Sequence, residues 1–272
     1  MLDPHTFPSY APERCAPGVG QHAGSAGHTP AQNAILAALP PADYERLLPD
    51  LVPVALPPGR ILHHAGDREK HLWFLTAGIV ARCYVTASGA STAYAVTGSE
   101  GVIGVSAFLG GDSTPSQAVV LTAGHGYRLP ADLLKAEFER GGALAHLLLR
   151  YTQALIAHTG QIAVCNRHHA LERQLCRWIL SCLDRSPSNE LAMTQEAIAD
   201  MLGVRRVGVT EIAGRLQEAG LIRYRRGHIA VLDRAGLEAQ ACECYAIVRR
   251  EYDRLVPAHA GGDAGRQRLC RH

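Results

Sequence analysis

Apolar residues recur at helical spacing in two short, adjacent segments between residues 193 and 219. Thr194 can cap the first helix, and Gly203 can end it because glycine adopts a left-handed backbone at little cost. The two apolar faces are Ala197, Ile198, Met201 and Leu202 in the first helix, and Val209, Ile212, Ala213, Leu216 and Ala219 in the second. Beyond Gly220, strand alternation continues on both sides of an Arg226-Gly227 turn. The pattern predicts a winged helix-turn-helix, and a helical hairpin with a solvated basic face is the alternative.

The polar positions of this segment are basic, although the whole chain has a formal charge of only +2. Seven arginines and three acidic residues lie between residues 205 and 234. Such local charge is typical of a surface that meets DNA phosphates. We expect Arg205, Arg206 and Thr210 to read base edges, since arginine matches guanine in the major groove. The other candidate DNA contacts are Thr194, Gln195, Val207, Arg223, Arg225 and Arg226.

Between residues 51 and 129, short β-branched and aromatic runs are separated by glycine, proline, aspartate and serine. Strands at this spacing without intervening helices predict an antiparallel sandwich or jelly roll. Residues 1–32 and 257–272 lack an apolar period, so we expect a flexible tail at each end. The predicted fold class is α+β, with a β-roll at 33–141, a dimerisation helix at 142–168 and a DNA-binding domain with a C-terminal helix at 169–256.

A long helix is predicted from Ala143 to Arg167, and apolar residues recur along it at alternating steps of four and three. The predicted seam consists of Leu144, Leu148, Tyr151, Leu155, His158, Ile162 and Cys165. A seam of this period over three heptads favours a parallel two-stranded coiled coil, in which His158 would fix the register. The alternative is a helix whose apolar face packs on its own β-roll. In the coiled coil, two helix-turn-helix units would lie side by side in a homodimer.

The eight cysteines are scattered and form no C-x-x-C pair, which favours reduced thiols in the cytoplasm. A single helix is predicted from Gly236 to Leu255. Cys242 and Cys244 would point away from one another on such a helix, so we expect no metal site there.

The order of these parts resembles the Crp/Fnr family of bacterial transcription regulators over about residues 35–233. The most specific portions are MTQEAIADMLGVRRVGVT and the turn SEGVIGVSAFLGG. The resemblance implies a homodimer that binds a two-fold symmetric operator on double-stranded DNA and responds to a small effector in the β-roll. We also expect RNA polymerase as a partner. The family's guanine-reading arginine matches Arg206, whereas Val207 and Glu211 replace the glutamate and arginine that usually follow, so the operator should differ.

The predicted effector pocket departs from that of the cyclic-nucleotide binders in this family. Those proteins hold the ribose with the glutamate of a G-E-L turn and the cyclic phosphate with the arginine of an R-S/T-A segment. The matching positions here are Gly104, Val105, Ser106, Ser116 and Gln117. Without the carboxylate and the guanidinium the charge-assisted bonds are lost, so we do not expect cyclic AMP to bind. Two alternatives remain, an unidentified small-molecule effector or a roll without a ligand.

No cofactor is identified from the sequence. The oxygen-sensing branch of the family carries an N-terminal cysteine cluster, and only Cys15 lies in that region here. The inner turn of the roll has neither the cysteine nor the histidine that heme-binding members place there.

The sequence has no apolar run of bilayer length, so we expect no membrane association. It also has no paired carboxylates, nucleophile elbow or phosphate loop, so we expect no enzymatic activity. The rival to a transcription regulator is a small-molecule-binding module that signals through protein partners and carries its basic wing only incidentally.

Overall fold

The computed structural model describes residues 27–257. Most of the two predicted flexible tails lies outside these residues. The expected tail boundary at residue 32 is wrong, because residues 27–32 pack on the β-roll. The Tyr127 hydroxyl donates a hydrogen bond to the carbonyl oxygen of His28 (2.7 Å), and the His28 ring stacks on His125 with a centroid distance of 4.3 Å.

The N-terminal half is an antiparallel β-roll, as predicted. Two short helices, α1 (Ala34–Ala37) and α2 (Pro41–Leu47), precede it. The strands are β1 (Val52–Leu56), β2 (Ile61–His63), β3 (His71–Val85), β4 (Ser91–Thr97), β5 (Val102–Ile103) and β6 (Gln117–Pro130), with the one-turn helix α3 (Ser106–Leu109) between the last two. The main strand order is β1-β6-β3-β4, with β2 added to β6 and β5 added to β3.

The C-terminal half is helical, with one small sheet. Helix α4 (Ala131–Glu139) leads into the long helix α5 (Ala143–His168), and α6 (Leu171–Leu183) follows after a two-residue link. The predicted winged helix-turn-helix consists of β7 (Glu190–Ala192), α7 (Gln195–Leu202), α8 (Arg206–Glu218), β8 (Ile222–Arg225) and β9 (His228–Val231). Its sheet has the order β7-β9-β8, so β7 adds a third strand that the sequence pattern did not predict. No helix within residues 27–257 is long and apolar enough to cross a membrane.

The described residues end in two helices, α9 (Arg234–Gln240) and α10 (Cys244–Leu255), where one helix was predicted. The prediction of a continuous helix is wrong because the backbone of Ala241 is extended (φ −69°, ψ 158°). Cys242 therefore lies in the turn between the two helices, whereas Cys244 is the first residue of α10.

The residues predicted for the dimer seam of α5 are buried within the chain itself. All seven of its residues are at most 7% exposed in a single chain, where a partner cannot reach them: Leu144, Leu148, Tyr151, Leu155, His158, Ile162 and Cys165. Tyr151 donates a hydrogen bond to the carbonyl oxygen of Val102 (3.2 Å), and His158 Nδ1 lies 3.3 Å from the Tyr252 hydroxyl. This face of α5 therefore packs on the roll and on α10, which was the alternative interpretation of the same pattern.

The helix-turn-helix packs directly on the β-roll. Buried side chains of β3, β4 and β6 share one apolar cluster with α6, α7 and α8. The Ser91 hydroxyl donates to the carbonyl oxygen of Asp200 (3.2 Å), and the Cys83 thiol lies 3.6 Å from the sulfur of Met201. The β-roll and the helix-turn-helix are therefore in direct contact in this conformation.

Candidate nucleic-acid interface

The first helix of the motif, α7, has a well-defined residue at each end. The Thr194 side-chain oxygen accepts from the backbone N–H of Ala197 (3.1 Å) and caps α7. Gly203 ends α7 with a φ of +67°, in the left-handed region that favours glycine. The cap and the left-handed glycine were both predicted from the sequence, and they define where α7 begins and ends.

The wing is attached to the same two helices. The backbone N–H of Tyr224 donates to the side-chain oxygen of Gln217 in α8 (2.8 Å), and the Tyr224 hydroxyl donates to the carbonyl oxygen of Met193 (2.8 Å). Burial raises the pKa of the Tyr224 phenol, so the group remains a neutral donor. The turn predicted at Arg226-Gly227 has positive φ at both residues (49° and 79°). The hairpin is therefore attached by hydrogen bonds to α8 and to the segment that precedes α7.

The first turn of α8 presents side chains to solvent. Arg205 and Arg206 are exposed, and Val207 is 60% exposed although it is apolar. The Thr210 hydroxyl donates to Gln195 Oε1 (2.7 Å), which joins the start of α7 to the exposed edge of α8. An apolar side chain between two exposed cations can contact a thymine methyl group in a major groove.

The cations of this surface are available for phosphate. Arg206 lies 3.6 Å from Glu196, but both side chains are 65% exposed, so this ion pair contributes little to stability. No ion pair within residues 27–257 involves the exposed residues Arg205, Arg223, Arg225 and Arg226. Arg215, by contrast, is held by Glu172 at 2.9 Å. The start of α8 and the wing therefore present five exposed arginines, and four of them make no ion pair with the described residues.

The residues predicted for the effector pocket have internal partners. The backbone N–H of Ser106 donates to Glu69 Oε2 (2.9 Å), and the Ser106 hydroxyl donates to the same oxygen. The Ser116 hydroxyl lies 3.0 Å from both the Tyr94 hydroxyl and Thr114 Oγ1. Gln117 is buried in β6, and Gly104 has a φ of +109°. A Cβ atom at Gly104 would meet the His71 carbonyl oxygen at 2.6 Å, so the turn requires glycine.

A cavity of about 400 Å³ lies beside these residues, and none of the five predicted pocket residues lines it. Its lining includes Glu69, His63, His71 and Trp73. Glu69 lies 3.1 Å from His63, and both side chains are buried. Burial lowers the pKa of His63, although the Glu69 carboxylate opposes that change.

The interior of the roll also holds a guanidinium group that the sequence analysis missed. Arg82 in β3 is 2% exposed and donates a hydrogen bond to the carbonyl oxygen of Val102. Its Nε has no hydrogen-bond partner among the described residues. The strand alternation predicted the β3 strand but not the burial of one charged position within it.

The fold and the exposed basic helix define a winged-helix DNA-binding protein whose second domain is a β-roll of the cyclic-nucleotide-binding type. The family model for the cyclic nucleotide-binding domain matches residues 53–140, and the model for the Crp-like helix-turn-helix domain matches residues 173–240. The chain belongs to the Crp/Fnr family of transcription regulators, and it is a DNA-binding transcription regulator.

Relatives support this assignment. The global nitrogen regulator of Synechococcus elongatus is 26% identical over 191 residues, which cover 67% of this chain and 86% of the relative. The structure of FixK2 from Bradyrhizobium japonicum matches with a TM-score of 0.60 at 14% identity, over 71% of this chain and 98% of that one. A Crp/Fnr-family transcriptional regulator from Thermus thermophilus matches with a TM-score of 0.56 at 22% identity, over 70% of this chain and 98% of that one. At these identities the two structures establish the fold alone.

Proposed function

We propose that this protein is a homodimeric, sequence-specific regulator that reads a palindromic operator through helix α8. The observation that carries the proposal is the exposed edge of α8, where Arg205, Arg206, Val207 and Thr210 face solvent beside an unpaired basic wing. We assign residues 33–141 to sensing, 142–168 to dimerisation and 169–256 to DNA binding. The protein would act in the cytoplasm and contact RNA polymerase from its bound operator.

The dimer would form through the exposed face of α5. Leu149, Ile156 and Val164 are 48%, 62% and 49% exposed, and their spacing of seven and eight residues keeps them on one side of the helix. Exposed apolar residues in such a row favour contact with a second apolar surface. A parallel pairing of two α5 helices supports a two-fold arrangement of the recognition helices, about 34 Å apart on successive major grooves.

Base reading is assigned to the first turn of α8. Arg206 would donate two hydrogen bonds to a guanine, and Val207 would contact a thymine methyl group. Arg205 and Thr210 would contact neighbouring base edges. Thr194, Gln195, Arg223, Arg225 and Arg226 would hold phosphates on either side.

The effector proposed for the roll is not cyclic AMP. The hydroxyls of Ser106 and Ser116 already have partners in the protein, and neither pocket segment supplies the carboxylate or guanidinium that the sugar phosphate requires. An effector of other chemistry would enter beside Gly104, Val105 and Gln117. Such a ligand would act on the contact between the roll and α7.

Selection from a pool of random duplexes tests the proposal. The purified full-length protein should enrich a palindrome whose half-site centres are about 10 base pairs apart, or a multiple of that distance. Footprinting of the enriched duplex should protect both half-sites at once. Enrichment of a single unpaired half-site would contradict the dimer, and enrichment of no duplex would contradict sequence-specific reading and favour signalling through protein partners.

A further inference from the structure

Four metal-ligating side chains meet where α5 ends. Cys165 lies in the last turn of α5, and His169 follows that helix directly, four residues later. Cys242 lies in the turn between α9 and α10, and Cys244 begins α10. The four ligand atoms all lie within 4.8 Å of one another. The three cysteines are at most 3% exposed, and the His169 side chain is 14% exposed.

Two of the distances between these atoms are close to the edges of one tetrahedron. The Cys165 and Cys242 sulfurs are 3.5 Å apart, and the Cys244 sulfur lies 3.4 Å from His169 Nδ1. A tetrahedral Zn²⁺ ion with Zn–S bonds of about 2.3 Å and a Zn–N bond of about 2.0 Å requires sulfur–sulfur edges of ~3.8 Å and sulfur–nitrogen edges of ~3.5 Å. Small side-chain adjustments would bring the four atoms around a single ion.

We propose that Cys165, His169, Cys242 and Cys244 bind one Zn²⁺ ion in a Cys3His site. The set is too compact for a cluster of several metal atoms, and three thiolates with one imidazole are a usual ligand set for structural zinc. Binding would release the protons of the three thiols, and the imidazole would coordinate in its neutral form.

Neighbouring side chains orient the proposed ligands. His169 Nε2 lies 3.2 Å from Glu243 Oε1, which directs Nδ1 toward the cluster. A carboxylate on the second ring nitrogen is a common companion of metal-bound histidine. The amide Nε2 of Gln161 donates to the Cys244 sulfur (3.1 Å), and such a donor stabilises a thiolate.

A buried cation next to the cluster balances the charge of the proposed site. Arg177 in α6 is 4% exposed, and its Nε has no hydrogen-bond partner among the described residues. The guanidinium makes no ion pair within residues 27–257, and it lies close enough to Cys165 to interact with that sulfur. Three thiolates and Zn²⁺ carry a net charge of −1, which Arg177 would neutralise. A buried arginine without an anion is costly, whereas the metal site supplies one.

The bound ion would connect the start of the DNA-binding half to its C-terminal helices. Residues 169–170 are the link between α5 and α6, and they are the point at which the DNA-binding domain leaves the long helix. The ion would join this link to the α9–α10 turn. The angle between α5 and the DNA-binding domain would then depend on metal occupancy.

Metal analysis of the full-length protein tests the assignment. We expect one zinc ion per chain after purification under reducing conditions, and an equal amount of Co²⁺ after exchange, with the visible absorption of tetrahedral cobalt–thiolate coordination. The variants Cys242→Ala and Cys244→Ala should lose at least nine-tenths of the bound metal. Glu243→Gln leaves all four ligands in place but removes the carboxylate beside His169, so it should weaken zinc binding by about 10- to 100-fold.

The matched control is Cys182→Ala, which removes a buried cysteine of α6 outside the cluster. It should keep full zinc content and the cobalt spectrum, and circular dichroism should show that every variant folds. Hydrogen exchange across residues 241–244 should be slower with zinc than after chelation. The proposal would be overturned if zinc-free protein bound no zinc on titration, or if the purified protein held iron or copper in place of zinc. A Cys165–Cys242 disulfide in reduced protein, or unchanged zinc binding in Cys242→Ala, would also overturn it.

Discussion

Replacing Ile156 with alanine should weaken the dimer without weakening the fold of the subunit. Ile156 is 62% exposed in a single chain and is the most exposed large apolar residue of α5. Full burial of an isoleucine side chain contributes about 1.5–3 kcal/mol, so covering the exposed 62% would contribute roughly 1–2 kcal/mol per copy. Two copies meet across a two-fold axis, so the dimer should lose ~2–4 kcal/mol, a ~30- to 900-fold increase in its dissociation constant.

Sedimentation equilibrium over a wide concentration range measures that constant. Leu109→Ala is the control, because Leu109 is 51% exposed on α3 of the roll, away from α5. It should leave the dissociation constant unchanged. Circular dichroism of Ile156→Ala at low concentration should show a subunit stability within about 0.5 kcal/mol of the wild type, as for other exposed positions. A dimer that is as tight in Ile156→Ala as in the wild type would refute pairing through this face.

Three further changes probe the wing, the domain contact and the buried histidine. Arg223→Ala should weaken binding about equally on all duplexes and lower the slope of log K against log salt by about 1, as salt titrations would show. Gly203→Ala should cost about 1–3 kcal/mol in urea unfolding, because φ there is +67° and the new Cβ would press on the Thr92 side chain; unchanged stability would contradict this. Burial, aided by nearby arginines, lowers the pKa of His158 in the folded protein well below 6.5. The unfolded chain therefore binds the proton at a higher pH than the folded protein does, so the stability of the wild type falls as the pH drops below 6.5. His158→Gln should show a shallower fall in thermal scans, and an equal fall would assign the acid sensitivity to other groups.

The helix-turn-helix was predictable because its signals are local. The cap at Thr194, the left-handed Gly203 and the Arg226-Gly227 turn each depend on a few neighbouring residues, and the structure contains all three. The strands of the roll were predictable for the same reason, because the alternation of apolar and polar residues along a strand indicates which face is buried.

The proposed dimer face was not predictable from the sequence, because α5 has apolar residues on two sides. The more regular row, which includes Tyr151 and His158, packs on the roll and α10. The row containing Leu149 and Ile156 remains exposed. A heptad pattern indicates that a helix has an apolar side, but it does not indicate whether that side packs on the same chain or on a partner.

The cysteine cluster was missed for two reasons. Cys165 and Cys242 are 77 residues apart in sequence, and only the packing of α10 on α5 brings them together. The second reason is the break at Ala241, which no proline or glycine marks. On one continuous helix, Cys242 and Cys244 would have diverged, as expected from the sequence.

The most direct test of the regulator proposed here is a binding titration of Arg206→Ala on the selected operator and on random duplex DNA. Loss of two hydrogen bonds to guanine should cost about 1–3 kcal/mol on the operator, a ~5- to 150-fold weakening, and should relax the preference at that base pair. Binding to random DNA should change far less, because only phosphate contact is lost there. An equal loss on both duplexes would contradict base reading by Arg206 and with it the central role of α8.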